Sequence, residues 1–347
     1  MVILPNLMEN YMKKKSLYFL CALVACVLSC GKSNKGNTTQ QQSTESKITL
    51  AECPVFSADS ALRFVVEQCN FGPRVTGSEA SARCGDYLVE SFRMYGAAVE
   101  EQCATVTRYD GQRLPIRNII ARLNPSAEKR IMLCSHWDSR PWADHDEDES
   151  NHHTPILGAN DGASGVAVMM ELCRIMQLKP LGIGVDFVCF DAEDMGLPEW
   201  DDDYSGDSSD TWCLGSRYWS EQAAAVGYKA RYGILLDMVG GIGCTFSREM
   251  VSRHFADPLV SRVWTIAGQL GFRHYFPQSD GGYLTDDHVN VNTIARIPCI
   301  DIVPYFTDGP SSFGPTWHTM QDTPENIDVN VLQAVGQTLA QLLYNEK

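Results

Sequence analysis

The chain has no basic patch. Lys and Arg number 28 against 43 Asp and Glu, for a net charge of -15, and the only run of cations, Lys13 to Lys15, stands near the start. A phosphate-binding face needs clustered cations, so nucleic acid is excluded as an expected partner. Also missing is an apolar run that would make a convincing spanning helix: the best stretch, Ser16 to Leu28, is too short and too one-sided. The 13 cysteines include no CxxC pair and no zinc-finger spacing. After residue 50 there is no internal repeat and no break in composition, which argues for one domain.

What is present is apolar bulk and an export signal. With 347 residues, 44% of them hydrophobic, the chain can bury a large core. Lys13 to Lys15, the apolar run after them and Val27-Leu-Ser-Cys30 read as a secretory signal. Its end resembles a bacterial lipobox, which would make Cys30 the lipidated first residue of an exported, membrane-anchored protein facing the periplasm or the cell surface. The polar stretch that follows reads as a tether. The expected organisation is therefore a signal and lipobox over 1–30, a tether over 31–50 and a single catalytic α/β domain over 51–347. Ten cysteines fall from Cys53 to Cys299, and several, such as Cys134, Cys173 and Cys189, sit inside apolar elements, where a buried free thiol is expected.

Periodicity predicts helices over 59–69 and 79–95, the second capped by Ser78, and strands over 118–123 and 130–134. A Gly-rich turn, Gly158 to Gly165, feeds a helix through Leu178; the apolar run Val185 to Phe190 reads as a buried parallel strand. A helix opening at Leu214, a strand over 232–238, a helix over 257–270, a strand over 297–303 and a terminal helix over 329–345 complete the pattern. Strands alternating with helices imply a three-layer α/β/α domain on a mixed, mostly parallel sheet.

In such sheets ligands bind where strands end. Five candidate metal ligands lie at those ends or just beyond them: His136, Asp161, Asp194, Asp237 and His318. Histidine with carboxylate suits catalytic zinc, which keeps a position open. Each residue alone also has a structural reading, as a core histidine or a cap. Glu193 and Asp194 are neighbours and cannot point the same way, so one can bind metal while the other moves protons. The acidic runs Asp144 to Glu149 and Glu199 to Asp210 read as solvated loops, although Asp201 to Asp207 partly mimics a calcium loop whose closing Glu is replaced by Trp212.

The ordered segments His136-Trp-Asp138, Gly158-Ala-Asn-Asp-Gly-Ala-Ser-Gly165, Asp191-Ala-Glu-Asp194, Leu235-Leu-Asp-Met238 and Trp317-His-Thr-Met320 resemble the motifs of the zinc aminopeptidase superfamily that includes glutaminyl-peptide cyclotransferases. The aminopeptidases of that superfamily use two zincs, which the resemblance would place on His136, Asp161 and Asp237 and on Asp161, Asp194 and His318. Trp200, Leu214-Gly-Ser-Arg217, Asp286-Asp-His-Val289, Phe313 and Trp317 favour the cyclotransferase branch. That branch implies one zinc on Asp161, Asp194 and His318, and Glu193 as the acid/base. Asp237 and Asp286 would pair beside the substrate amide, and Trp200, Phe313 and Trp317 would wall the pocket. Peptides or proteins with N-terminal Gln are then the expected substrates. Two departures stand out: Asp194 replaces the more usual Glu, and Asp301, counted with the substrate-binding residues, stands where animal cyclases carry His. A two-zinc aminopeptidase and a non-catalytic surface binding lipoprotein are the competing readings.

Overall fold

A computed structural model describes residues 47–346 except Asp202 and Pro310. The signal, the lipobox with Cys30 and most of the tether lie outside the described residues. Among the described residues no helix is long and apolar enough to cross a membrane.

Six strands form one sheet: β1 (Ala98–Thr107), β2 (Arg113–Leu123), β3 (Arg130–His136), β4 (Gly184–Phe190), β5 (Gly233–Leu236) and β6 (Cys299–Ile302), in the spatial order β1-β2-β4-β3-β5-β6. The last four of that order run parallel, whereas β1 with β2 and β2 with β4 are antiparallel. Among the described residues seven helices cover it: α1 (Ala58–Cys69), α2 (Glu79–Met94), α3 (Ala163–Leu178), α4 (Leu214–Val226), α5 (Met250–Gln269), α6 (Asp287–Thr293) and α7 (Val329–Tyr344).

The central strands β3, β4 and β5 are buried on nearly every residue because both faces are covered. Ile131 and Leu133 of β3 join Phe187 of β4 and Ile234 of β5 in the large core beneath α1, α2, α3, α5 and α7. Met132 and Cys134 point the other way, where Val188 and Leu235 meet Trp219 and Ala223 of α4 and Val291 of α6. The expected three layers are therefore present.

Four expectations need correction. β1 is a strand that apolar periodicity does not reveal, since its Glu100, Glu101 and Gln102 make it a polar edge; cross-strand pairs such as Arg122 with Glu100 (2.7 Å) hold it to β2. α5 starts at Met250 rather than near Asp257, because the chain kinks at Ala256, φ -147°, just before Pro258. β6 begins after Pro298, which cannot donate to the ladder. The folded part also starts inside the expected tether: Ile48 N donates to Gln269 Oε1 (3.0 Å) and Asn345 Nδ2 to Thr49 O (3.1 Å). All ten cysteines from Cys53 to Cys299 are free thiols, and eight are buried.

Candidate active site and metal centre

Chain order places β4 on one side of β3 and β5 on the other, so the crevice at their carboxyl ends is a topological switch point. His136 ends β3, Asp191 to Asp194 follow β4, and Asp237 follows β5. Asp161 arrives from the turn before α3 and His318 from the loop after β6.

These side chains meet as two triads that share Asp161. His136 Nε2 lies 3.0 Å from Asp161 Oδ1 and 3.1 Å from Asp237 Oδ1. His318 Nε2 lies 3.1 Å from Asp194 Oδ1 and 3.7 Å from Asp161 Oδ2. Within each triad the donor atoms stand within 4.8 Å of one another. All five residues are buried, and the Oδ2 atoms of Asp161 and Asp194 have no hydrogen-bond partner. Orphaned buried carboxylate oxygens are costly unless something cationic answers them, and nitrogen with carboxylate donors fits zinc.

The backbone is fixed around the ligands. Asp138 accepts from the amides of Glu193 (3.1 Å) and Asp194 (3.2 Å), which aims the two neighbours apart. Asp322 accepts from Asn160 N (2.7 Å) and Asp161 N (3.0 Å). Gly162 has φ 95°, and a Cβ there would stand 2.3 Å from Asp138 O, so the Asn160-Asp161-Gly162 turn requires glycine. Four non-glycine residues with positive φ sit at this one site: Ala192 (54°), Cys213 (59°), Met238 (49°) and His318 (56°). Such conformations persist where surrounding contacts enforce them.

Without metal, the charges are unevenly matched. Burial and the Asp194 charge push Asp161 up to about 6. Burial raises Glu193 well above the usual carboxylate range, with Asp194 adding to the rise. Burial and the Asp237 charge push Asp286 up to about 7. Burial opposes a charged His318, yet Asp194 and Asp144 outweigh it and raise the imidazole to about 9.

A pocket opens over the centre. Asp161, Glu193, Asp194, Asp237, Asp286 and His318 form its polar side, with Trp212, Met238, Leu284, Phe313 and Trp317 on its apolar side. The Trp317 ring lies 3.9 Å from the His318 ring, and the Trp212 ring is stacked 5.9 Å away. Two expected pocket residues are elsewhere. Trp200 lies off the cavity, 4.4 Å from the His153 ring and 5.8 Å from Trp142, and Trp212 supplies the indole instead. Asp301 is buried behind Asp286, its Oδ2 3.7 Å from His288 Nδ1, too deep to meet a substrate.

The loop over 201–207 shows no donor cluster among the described residues. Asp207 turns its carboxylate onto Ser209 N (3.0 Å) and Ser209 Oγ (2.7 Å) instead. No local pattern marks Arg140, yet it is fully buried: it pairs with Asp144 and donates to Asp194 O (3.0 Å), Gly196 O (3.1 Å) and Leu197 O (3.2 Å). Asp144 is thus not part of a solvated loop; it is 5% exposed and contacts His318. Cys213, which no sequence pattern marks, donates its Sγ–H to Glu193 Oε1 at 3.1 Å.

The sequence profile of Peptidase family M28 matches residues 118–343. The chain belongs to that family. Among solved structures, the M28-like fold recurs in the glutaminyl cyclase of Tannerella forsythia, 49% identical, covering 85% of this chain and 100% of that one with a TM-score of 0.82. The Bacteroides thetaiotaomicron glutaminyl cyclase bound to N-acetylhistamine is 47% identical over 85% of this chain and 100% of its own, also with a TM-score of 0.82. A leucine aminopeptidase precursor from the same organism is 46% identical, with 86% and 100% covered and a TM-score of 0.81. Both the cyclase and the aminopeptidase readings thus have close relatives.

Proposed function

We propose that this M28 protein is a zinc-dependent glutaminyl-peptide cyclotransferase that converts an N-terminal Gln of peptides or proteins to pyroglutamate and releases ammonia. The observation that carries it is the asymmetry of the two triads. Both imidazole Nε2 atoms contact carboxylates, but the unanswered buried Oδ2 atoms belong to Asp161 and Asp194, the two carboxylates of the His318 triad. One zinc on Asp161, Asp194 and His318 satisfies those atoms, with His136 and Asp237 left as hydrogen-bonding groups. Bound there, the ion would supply Lewis acidity toward the γ-amide oxygen.

The protein's own residues do the rest. Phe313, Trp212 and Trp317 enclose the glutamine side chain and keep water from competing with the α-amine. The amine attacks its own γ-carbonyl carbon, a step in which the substrate itself supplies proximity. Glu193, buried and readily protonated, takes a proton from the attacking nitrogen and delivers one to the departing nitrogen. The C–N bond of the ring forms, the C–NH2 bond breaks, and ammonia leaves. Asp286, pushed up to about 7, retains a proton near neutrality and can donate to the transferring amide nitrogen, with Asp237 accepting beside it.

The aminopeptidase reading is favoured by one feature, the sharing of Asp161 between two triads. Mass spectrometry separates the two: a Gln-initiated peptide should become its pyroglutamyl form with no free amino acid, and a Leu-initiated peptide should be untouched. Release of free leucine would transfer the assignment to the aminopeptidase. Export and anchoring through Cys30, on the periplasmic or surface side of a membrane, belong to the same proposal. They rest on the sequence from Lys13 to Cys30, and metabolic labelling with a fatty acid, lost in Cys30→Ala, tests them.

A further inference from the structure

The cavity wall continues outward as a row of rings. Trp317, in the wall, lies 4.2 Å from the His145 ring, and His145 Nε2 lies 3.3 Å from Glu199 Oε1 on the cavity's edge. The next residue, Trp200, leaves 39% of its surface in solvent. It is held between two loops, with His153 and Trp142 on the opposite one. An indole held by the His152 and His153 rings beside an active site and still partly exposed is a stacking surface and not core filler.

Its surroundings are acidic. Glu199, Asp201 and Asp203 are on its own loop, and Glu147 to Glu149 stand on the facing one, just ahead of His152 and His153. The same patch already places cations on aromatic faces, since the Arg108 guanidinium stands 5.3 Å from the Trp142 ring centre and Arg140 5.0 Å from it.

We propose that Trp200 and Glu199 form a subsite for a cationic side chain, Arg or Lys, at the third position of the substrate. The proposal rests on the cyclotransferase reading, because only a peptide whose first residue fills the cavity leads its next residues across this edge. An extended chain advances about 3.3 Å per residue, so the second and third residues are the ones that leave the cavity. The indole face attracts the cation, and the Glu199 carboxylate answers its charge. The surrounding acids raise the local concentration of cationic peptides and repel acidic ones.

The test compares kcat/KM for Gln-Gly, Gln-Gly-Arg-Ala and Gln-Gly-Glu-Ala. In the wild-type protein the Arg peptide should exceed the Glu peptide by about 2- to 30-fold at low salt, and the ratio should shrink at about 0.5 M salt. Trp200→Ala should bring the Arg-to-Glu ratio close to one, Trp200→Phe should keep part of it, and Glu199→Gln should lower it without removing any ring. A wild-type ratio near one, or a ratio unchanged in both Trp200→Ala and Glu199→Gln, overturns the subsite. If no pyroglutamyl product forms even from Gln-Gly, the cyclotransferase reading itself falls, and the subsite with it.

Discussion

Asp144 Oδ1 stands 3.3 Å from Nδ1 of His318, and this contact turns Nε2 of the imidazole toward Asp194 and Asp161. The Asp144 carboxylate is itself gripped by Arg140, whose remaining N–H groups hold the carbonyls of Asp194, Gly196 and Leu197. One buried ion pair therefore orients two of the proposed zinc ligands, one through a side chain and one through its backbone. A carboxylate behind a ligating histidine fixes its tautomer and orientation.

Asp144→Asn should weaken zinc binding by about 10- to 100-fold, the scale expected for loss of an outer-shell partner. Competition against a chromogenic chelator measures it. Arg140→Met should do more, because it strands Asp144 as an unpaired buried charge, at a cost of about 3 to 5 kcal/mol. Urea unfolding should show that loss, together with a lower zinc content.

Glu193 and Asp194 should fail differently although they are adjacent. Glu193→Gln should keep its zinc and lose turnover by at least about a hundredfold, as for other general acid/base groups. Asp194→Ala should lose the metal. Elemental analysis beside steady-state rates separates the two, and near wild-type turnover in Glu193→Gln would remove the proton shuttle assigned to it.

The strand ends were legible because strands buried on both faces are mostly apolar, so the carboxylates that follow Phe190 and Leu236 mark the ends of the runs. The ordered motifs around His136, Asp161, Glu193, Asp237 and His318 converge as their sequence pattern implies. β1 was not legible, because a polar edge strand is held by backbone pairing and arginine contacts and leaves no apolar period. Arg140 and Asp144 were hidden for another reason. A charge next to an acidic run looks solvated, and only tertiary packing buries it. Trp200 and Trp212 lie in one loop-rich stretch after the paired acids, and nothing local says which indole turns inward.

The metal-free protein should become less stable as pH rises. Asp191, Asp286 and Asp322 are each pushed up to about 7, chiefly by burial and then by a neighbouring carboxylate, and Asp161 to about 6. A carboxyl with a raised folded pKa binds more protons folded than unfolded, so its contribution falls between the unfolded value, about 4, and the folded one. His318, raised to about 9 by Asp194 and Asp144 against its burial, adds a loss between about 6.5 and 9. Both act in the same direction. Chelator-treated protein should melt lower at pH 8.5 than at pH 5.5, and added zinc should raise Tm more at the higher pH. A higher Tm at pH 8.5 without metal would contradict these assignments.

The last prediction uses a residue that carries no chemistry. A Cβ on Gly196 would stand 2.1, 2.3 and 2.6 Å from three ring carbons of Trp212, so the indole can lie against the chain only because residue 196 has no side chain. Trp212 stacks on the His318 ring and lies beneath the Arg140 guanidinium, 4.5 Å from its ring centre, so it has no slack in which to retreat. Gly196→Ala should therefore swing the indole out of the cavity at a cost of about 1 to 3 kcal/mol, the usual scale of overpacking. Every proposed metal ligand and proton-transfer group is left in place. The expected outcome is a full complement of zinc with kcat/KM reduced nearly as far as in Trp212→Ala, and with some Gln substrate hydrolysed to Glu as water enters. Unchanged kcat/KM in Gly196→Ala, with Tm lowered as predicted, would show that the indole does not enclose the substrate.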